Sequence, residues 1–150
     1  MTPRFWKLSH GTEFFSYEHL LTCLEAKIVY VHKDTAAKGG AIVSQGEAFL
    51  QAPIGDYFYI THGNQGIYAL GQFSGPANIL SAKGGGWLDR PYRHIKSSIT
   101  RDIYSGPQKW WTPDDNSTFM QVPIAEHDLF EQYILSPFFG LALELYCTKV

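Results

Sequence analysis

The sequence predicts an α+β fold, on three observations. Runs of β-branched and aromatic residues recur between glycine-bearing turns, the pattern of short paired strands. Two other segments, 16–26 and 126–135, carry apolar residues at helical spacing. A chain of 150 residues that is 45% hydrophobic and 17% charged has the composition of a folded core rather than of a disordered segment. That length predicts a single domain over residues 1–150.

The elements follow in order. Residues 5–8, FWKL, form a first strand. Residues 16–26 form a helix: Tyr17, Leu20, Leu21 and Leu24 share one apolar face, and Ser16 supplies an N-cap. Ile28-Val29-Tyr30-Val31 is a second strand. Residues 33–47 are polar and contain Lys38-Gly39-Gly40, a loop that runs into a short helix near Glu47. Gly55-Asp56 is a turn, followed by strands 57–61 and 67–73 around the turn 62–66, a β-hairpin. Gly71 inside a strand pattern predicts a bulge or a close backbone approach. Gly84-Gly85-Gly86 is a loop, but no Lys-Ser/Thr follows it, so it is no phosphate loop. Residues 92–103 form a further strand, with Tyr92, His94 and Lys96 alternating against Arg93 and Ile95. Residues 107–116 are a polar loop carrying Trp110 and Trp111. The helix 126–135 ends at Ser136-Pro137, and the apolar tail 138–146 packs back on the sheet.

The chemistry is defined largely by exclusion. A net charge of −2 argues against a basic protein that coats nucleic acid indiscriminately, but leaves room for a local basic face. No apolar run approaches the length of a membrane span, and the N-terminus lacks a signal-peptide pattern, so a cytoplasmic location is expected, with no membrane partner. Cys23 and Cys147 are too few for a disulfide framework and are expected as reduced thiols. There is no nucleophile elbow and no Walker motif. His19 and Cys23 sit one helical turn apart, but two ligands do not make a metal site. Glu25-Ala26-Lys27 looks like the tail of a nuclease site, yet the first aspartate, Asp34, follows it, so the order fails. The expectation is therefore no catalytic residue, no metal and no cofactor.

What remains is aromatic and small polar. Rings make up 15% of the chain, more than a core this size needs. Trp6, Tyr30, Tyr57, Tyr59, Trp87, Trp110 and Trp111 lie in or beside strands and loops, and Ser9, His10, His32, Asp56 and His62 lie at strand ends. A flat pocket lined by rings and floored by hydrogen-bonding groups suits a nucleobase.

Several of these motifs resemble a known family. Phe5-Trp6-Lys7-Leu8-Ser9-His10-Gly11 resembles the opening strand and turn of EVE-type domains of the PUA-like superfamily, which are related to YTH domains. The closest likeness is to the N-terminal DNA-recognition domain of McrB-like modification-dependent restriction proteins. The helix with Cys23-Leu24 and the strand running to His32 are similar to the family's next elements. The hairpin from Gly55 to Gln72 and the segment Arg90-Pro91-Tyr92-Arg93-His94-Ile95-Lys96 resemble those that follow. The likeness covers residues 4–104. His10 stands where the family often has proline, and His32 where a cage tryptophan is usual.

The resemblance implies a compact β-barrel with flanking helices that holds a flipped modified base, a methylated cytosine or adenine, in an aromatic pocket. The expected base pocket is Trp6, Ser9, His10, Tyr30, His32, Tyr59, His62 and Trp87. With His32 in the cage, modified cytosine is expected over modified adenine. The expected phosphate contacts are Lys33, Lys38, Lys83, Arg90, Arg93, Lys96 and Arg101. The partner that the resemblance implies is DNA carrying modified bases, read for a restriction or defence system, with GTPase and nuclease partners expected outside this chain. Three alternatives stay open: an RNA-binding PUA-like module, a small hydrolase using Lys7 with Asp56, and a protein-interaction domain.

Overall fold

The computed structural model describes residues 4–39 and 42–146. Gly40 and Cys147 lie outside the described residues. The fold is α+β. Its centre is one curled six-stranded sheet of β1 (Phe5–His10), β2 (Ile28–His32), β3 (Tyr57–His62), β4 (Gln65–Phe73), β5 (Trp87–Ser97) and β6 (Phe119–Gln121), in the order β2-β5-β4-β3-β1-β6. β1 and β3 pair in parallel, Phe5 opposite Tyr57 and His10 opposite His62, and every other pair is antiparallel. A parallel pair needs a long crossover. Here it carries α1 (Tyr17–Ala26), β2 and α2 (Gln45–Gln51).

Period-2 alternation sends side chains to two cores. Trp6, Leu8, Phe58, Ile60, Phe73 and Phe119 fill the inside of the curl. Phe5, Tyr59 and Leu70 point outward, onto Trp111, Phe130 and Ile134. β1 is therefore buried along its whole length. The outer core is covered by the C-terminal helical run, with α3 (His127–Phe130), a π-helical turn (Glu131–Leu135) and α4 (Ser136–Phe139). The apolar tail packs on the sheet as expected, Phe138 and Phe139 joining this core.

Local chemistry explains the elements. Ser16 Oγ accepts the His19 N–H at 3.1 Å and caps α1. Only Leu20 and Cys23 of α1 are buried; Tyr17 and Leu21, expected on the same apolar face, stay 56% and 43% exposed. α2 bridges the edge strands β2 and β6. Its Gln45 Oε1 accepts the N–H groups of Thr118 and Phe119 at 2.7 and 2.8 Å. Its Gly46 packs on the end of β2 so closely that a Cβ would lie 2.4 Å from the Lys33 carbonyl oxygen. Gly71 meets the expectation of a tight approach: the β4–β5 register shifts there, and a Cβ would lie 2.7 Å from the Tyr92 ring.

Three elements depart most from the sequence reading. β5 begins at Trp87 and ends at Ser97, so the strand expected over 92–103 starts earlier and stops earlier. The glycine loop frees the chain to turn into the strand at Trp87, which pairs with His32. β6 has only three residues, too few for a readable period. The last helix does not stop at Pro137: Ser136 N–H reaches back to Glu131, and Pro137 sits in the first turn of α4, where its missing N–H costs least.

Candidate functional site

A cavity of about 460 Å³ opens where β1 ends, the 11–15 turn passes, β2 runs out and β5 begins. Ser9 comes from β1, Tyr30 and His32 from β2, and Trp87 from β5; the 11–15 turn adds Phe14 and Phe15. The β3–β4 turn contributes Gly63 and Asn64, and the segment before β6 contributes Asn116, Ser117 and Thr118.

The rings meet at Trp87. Phe14, Phe15 and His32 all approach it edge-on, with centroids 5.5, 5.4 and 5.2 Å away. Lys83 Nζ lies over the Phe15 and Trp87 rings at 4.5 and 5.0 Å, placing one cation beside the cavity. The floor is held by hydrogen bonds. Ser9 Oγ donates to the Gly63 carbonyl at 3.0 Å, which leaves its lone pairs free to accept. His32 uses both nitrogens: Nδ1 accepts the Asp34 N–H at 3.1 Å and Nε2 donates to the Gly85 carbonyl at 2.7 Å. It therefore offers a ring surface rather than a hydrogen-bonding edge. The Tyr30 hydroxyl and the Asn64 and Asn116 amides line or border the cavity with no side-chain partner among the described residues.

His10 and His62 stand behind this wall, not in it. His10 is buried, and its Nε2 accepts the Tyr30 N–H at 3.0 Å. Burial, with His19, His62 and Lys83 adding to it, pushes its pKa down to about 3, so the ring is neutral at pH 7. His62 Nε2 bonds the Phe15 carbonyl at 2.6 Å and fixes the 11–15 turn. Both histidines position the site without lining it.

Two expected pocket rings lie elsewhere. Trp6 is inside the curl, stacked on Phe119 at 4.3 Å, with its N–H on Asp56 at 2.9 Å. Tyr59 is fully buried on the outer face, where its hydroxyl donates to the Trp111 carbonyl. Their places in the β1 and β3 alternation decide this. Even-numbered β1 and β3 residues face the inner core and odd-numbered ones the outer, so neither ring reaches a strand end.

The basic residues also divide. Arg90 is corrected outright: it is 1% exposed and donates to the carbonyls of Phe49, Ala52 and Gly75, so it contacts no phosphate. Its guanidinium lies over the Phe73 ring at 4.0 Å. Lys33 and Lys83 border the cavity through Gly86 and Trp87, and Lys38 donates to the Asn116 carbonyl. Arg93 is tied to Gln72 on β4, Lys96 lies near Gly140, and Arg101 lines a separate cavity with Tyr17 and Tyr68. The expected phosphate-contact residues thus do not share one face.

The pair Lys7 and Asp56 is not brought together. Lys7 Nζ donates to the Asp115 carbonyl at 2.6 Å and to Ser117 Oγ at 2.9 Å on the outer face, whereas Asp56 takes the Trp6 N–H on the inner one. Burial lowers the Lys7 pKa to about 8 against the nearby aspartates. No group of three or more His, Cys, Asp or Glu able to hold a metal occurs among the described residues. Nor, among them, is any helix long and apolar enough to cross a membrane.

Phe14, Phe15, Asn64 and Asn116 were not anticipated in the cavity. The Phe14-Phe15 pair in the turn that begins at Gly11 is a signal the sequence did carry; the 116–118 segment has no period or motif that marks it.

No protein-family model matches the chain, and no curated protein matches it. Solved structures of similar fold include the following two. Rpa0253 from Rhodopseudomonas palustris, determined by NMR, is 15% identical with a TM-score of 0.50, over 84% of this chain and 89% of that one. The crystal structure of Atu2648 from Agrobacterium tumefaciens is 12% identical with a TM-score of 0.50, over 83% of this chain and 88% of that one. At such identities the likeness concerns the fold alone.

Proposed function

We propose that this chain is a PUA-like, EVE-type module that reads a modified base in DNA by taking it, flipped out of the helix, into the Trp87 cavity. One observation carries the reading: Ser9, Tyr30, His32 and Trp87, which come from three separate strands, line the same cavity. Its volume of about 460 Å³ falls in the usual small-ligand range of about 300–1,000 Å³. A flipped base gives up its stacking neighbours, and the rings of Trp87, Phe14 and Tyr30 replace them. Its edge meets the free lone pairs of Ser9 and the amides of Asn64 and Asn116. Lys33, Lys38 and Lys83 supply the phosphate contacts, and Arg90 none. A base with an added methyl group fills apolar ring space that an unmodified base leaves open, which is the source of discrimination.

The test is a binding series on short duplexes with one 5-methylcytosine, one 5-hydroxymethylcytosine, one N6-methyladenine or no modification, repeated with the matching RNA. Tight binding to one modified DNA duplex is expected, modified cytosine first. Equal affinity for every duplex contradicts the reading, and a preference for RNA moves the module to RNA.

A further inference from the structure

A second cavity, of about 560 Å³, lies beside the first and is not used by the reading above. We propose that it is a second nucleobase subsite, which takes the base flanking the flipped one and selects guanine there through Asp115. The proposal rests on the nucleic-acid reading and deepens it.

Three features carry it. Trp110 is 51% exposed, whereas its neighbour Trp111 is buried with its N–H on Glu126 at 2.8 Å. An exposed indole is costly to keep in water and is a frequent anchor for a ligand. Trp110 is also held in place: Gly39 packs so close that a Cβ there would lie 2.9 Å from the indole nitrogen, and Lys38 Nζ lies 5.8 Å from the ring centroid.

The second feature is an acceptor with nothing to accept. Asp115 lines this cavity and is 8% exposed, yet its buried Oδ2 has no hydrogen-bond partner among the described residues. Glu126, the other carboxylate at the cavity, is already taken by Trp111 and by Lys109 at 3.2 Å. Lys7 bonds the Asp115 main-chain carbonyl, not its carboxylate, so it puts positive charge nearby without engaging the carboxylate oxygens. Burying a carboxylate without donors is expensive. A ligand edge with adjacent N–H donors relieves that cost. Among the bases, guanine presents such an edge, N1–H beside the N2 amino group. A planar base can stack on Trp110 while this edge faces Asp115.

The third feature is the shared wall. Asn116 lines the first cavity and Asp115 the second, and consecutive Cα atoms are about 3.8 Å apart. Lys38 bridges the two, lining the second cavity while donating to the Asn116 carbonyl. Two bases adjacent on one strand therefore meet two adjacent sites, with a cation between them for the linking phosphate.

The experiment uses modified duplexes in which the base on either side of the modification is guanine, inosine or adenine, placed opposite an abasic site so that its N1–H and N2 edge is not already paired. Inosine lacks the N2 amino group alone. Wild type is expected to bind the guanine-flanked duplex about tenfold more tightly than the inosine-flanked one, the worth of one hydrogen bond to a charged group. Asp115→Asn, nearly isosteric, should flatten that preference. Trp110→Ala, at an exposed position, should weaken binding about tenfold whatever the flanking base, with the ratio of modified to unmodified affinity kept. Equal wild-type affinity for all flanks, or unchanged binding in Trp110→Ala, overturns the second subsite while the modified-base reading stands. If wild type does not distinguish modified from unmodified DNA at all, both fall together.

Discussion

Replacing Arg90 by methionine should unfold the protein at a much lower temperature without touching the binding surface. Arg90 makes four hydrogen bonds, of 2.6 to 3.1 Å, to the carbonyls of Phe49, Ala52 and Gly75. Two of those acceptors lie at the C-terminal end of α2, where helix carbonyls lack intrahelical partners. Methionine keeps an apolar stem over the Phe73 ring, so the packing loss is small. It leaves three buried acceptors without a donor, each worth about 1–3 kcal/mol. Partial relaxation of the α2 end brings the sum to about 3–5 kcal/mol. A chain of this length shifts its melting temperature by about 2–4 °C per kcal/mol, so the expected drop is about 6–20 °C. Arg90→Lys recovers part of it, because one ammonium cannot reach both α2 and Gly75. The exposed Arg93→Glu is the control and should change stability by less than about 0.5 kcal/mol. Thermal unfolding followed by circular dichroism, with urea titration to check that the m-value is unchanged, decides the matter. A melting point for Arg90→Met within about 2 °C of wild type would refute the bridging role.

Other outcomes follow from the same geometry. Gly46→Ala forces a Cβ against the Lys33 carbonyl, backbone that cannot give way cheaply, and should cost about 1–3 kcal/mol in urea unfolding; a neutral result would contradict the close α2–β2 approach. Lys7 has a folded pKa of about 8, below its unfolded value, so above pH 8 the unfolded chain holds more protons and stability gains a component that rises with pH. Lys7→Met should lose that component between about pH 7.5 and 9.5, and an unchanged pH slope in urea midpoints would contradict it. His10, pushed down to about 3, should show no ring titration by NMR between about pH 7.5 and 5, and a midpoint above about 6 would mean the ring is not sealed behind the cavity. Trp87→Ala should weaken binding to the modified duplex by about 1–3 kcal/mol, read as affinity against melting temperature on the same sample.

Much of the fold was legible because its signals are local. The hairpin 57–73 announces itself by β-branched and aromatic runs around a glycine turn, and α1 by its cap and spacing. The outer core was only half legible: the apolar tail was expected on the sheet, but Trp111 and the π-helical turn that seat it depend on contacts between distant segments. At the site, Ser9, Tyr30, His32 and Trp87 come to one cavity, whereas the strand-end residues His10 and His62 lie behind its wall and Asp56 lies away from it. Trp6 and Tyr59 do not join them, because face alternation sends these two rings to the two cores. Arg90 was misread for a different reason. A charge is expected at the surface, and only the tertiary arrangement of α2 and Gly75 supplies the carbonyls that let it be buried.

The measurement that bears most directly on the central claim is an NMR titration of the isotope-labelled protein with one duplex in modified and unmodified form. The account predicts that the modified duplex shifts the Trp87 indole N–H and the amides of Ser9, Tyr30 and Asn64, and that the unmodified duplex leaves them in place. Identical shift maps for the two duplexes, or shifts confined to surfaces away from the Trp87 cavity, would contradict it.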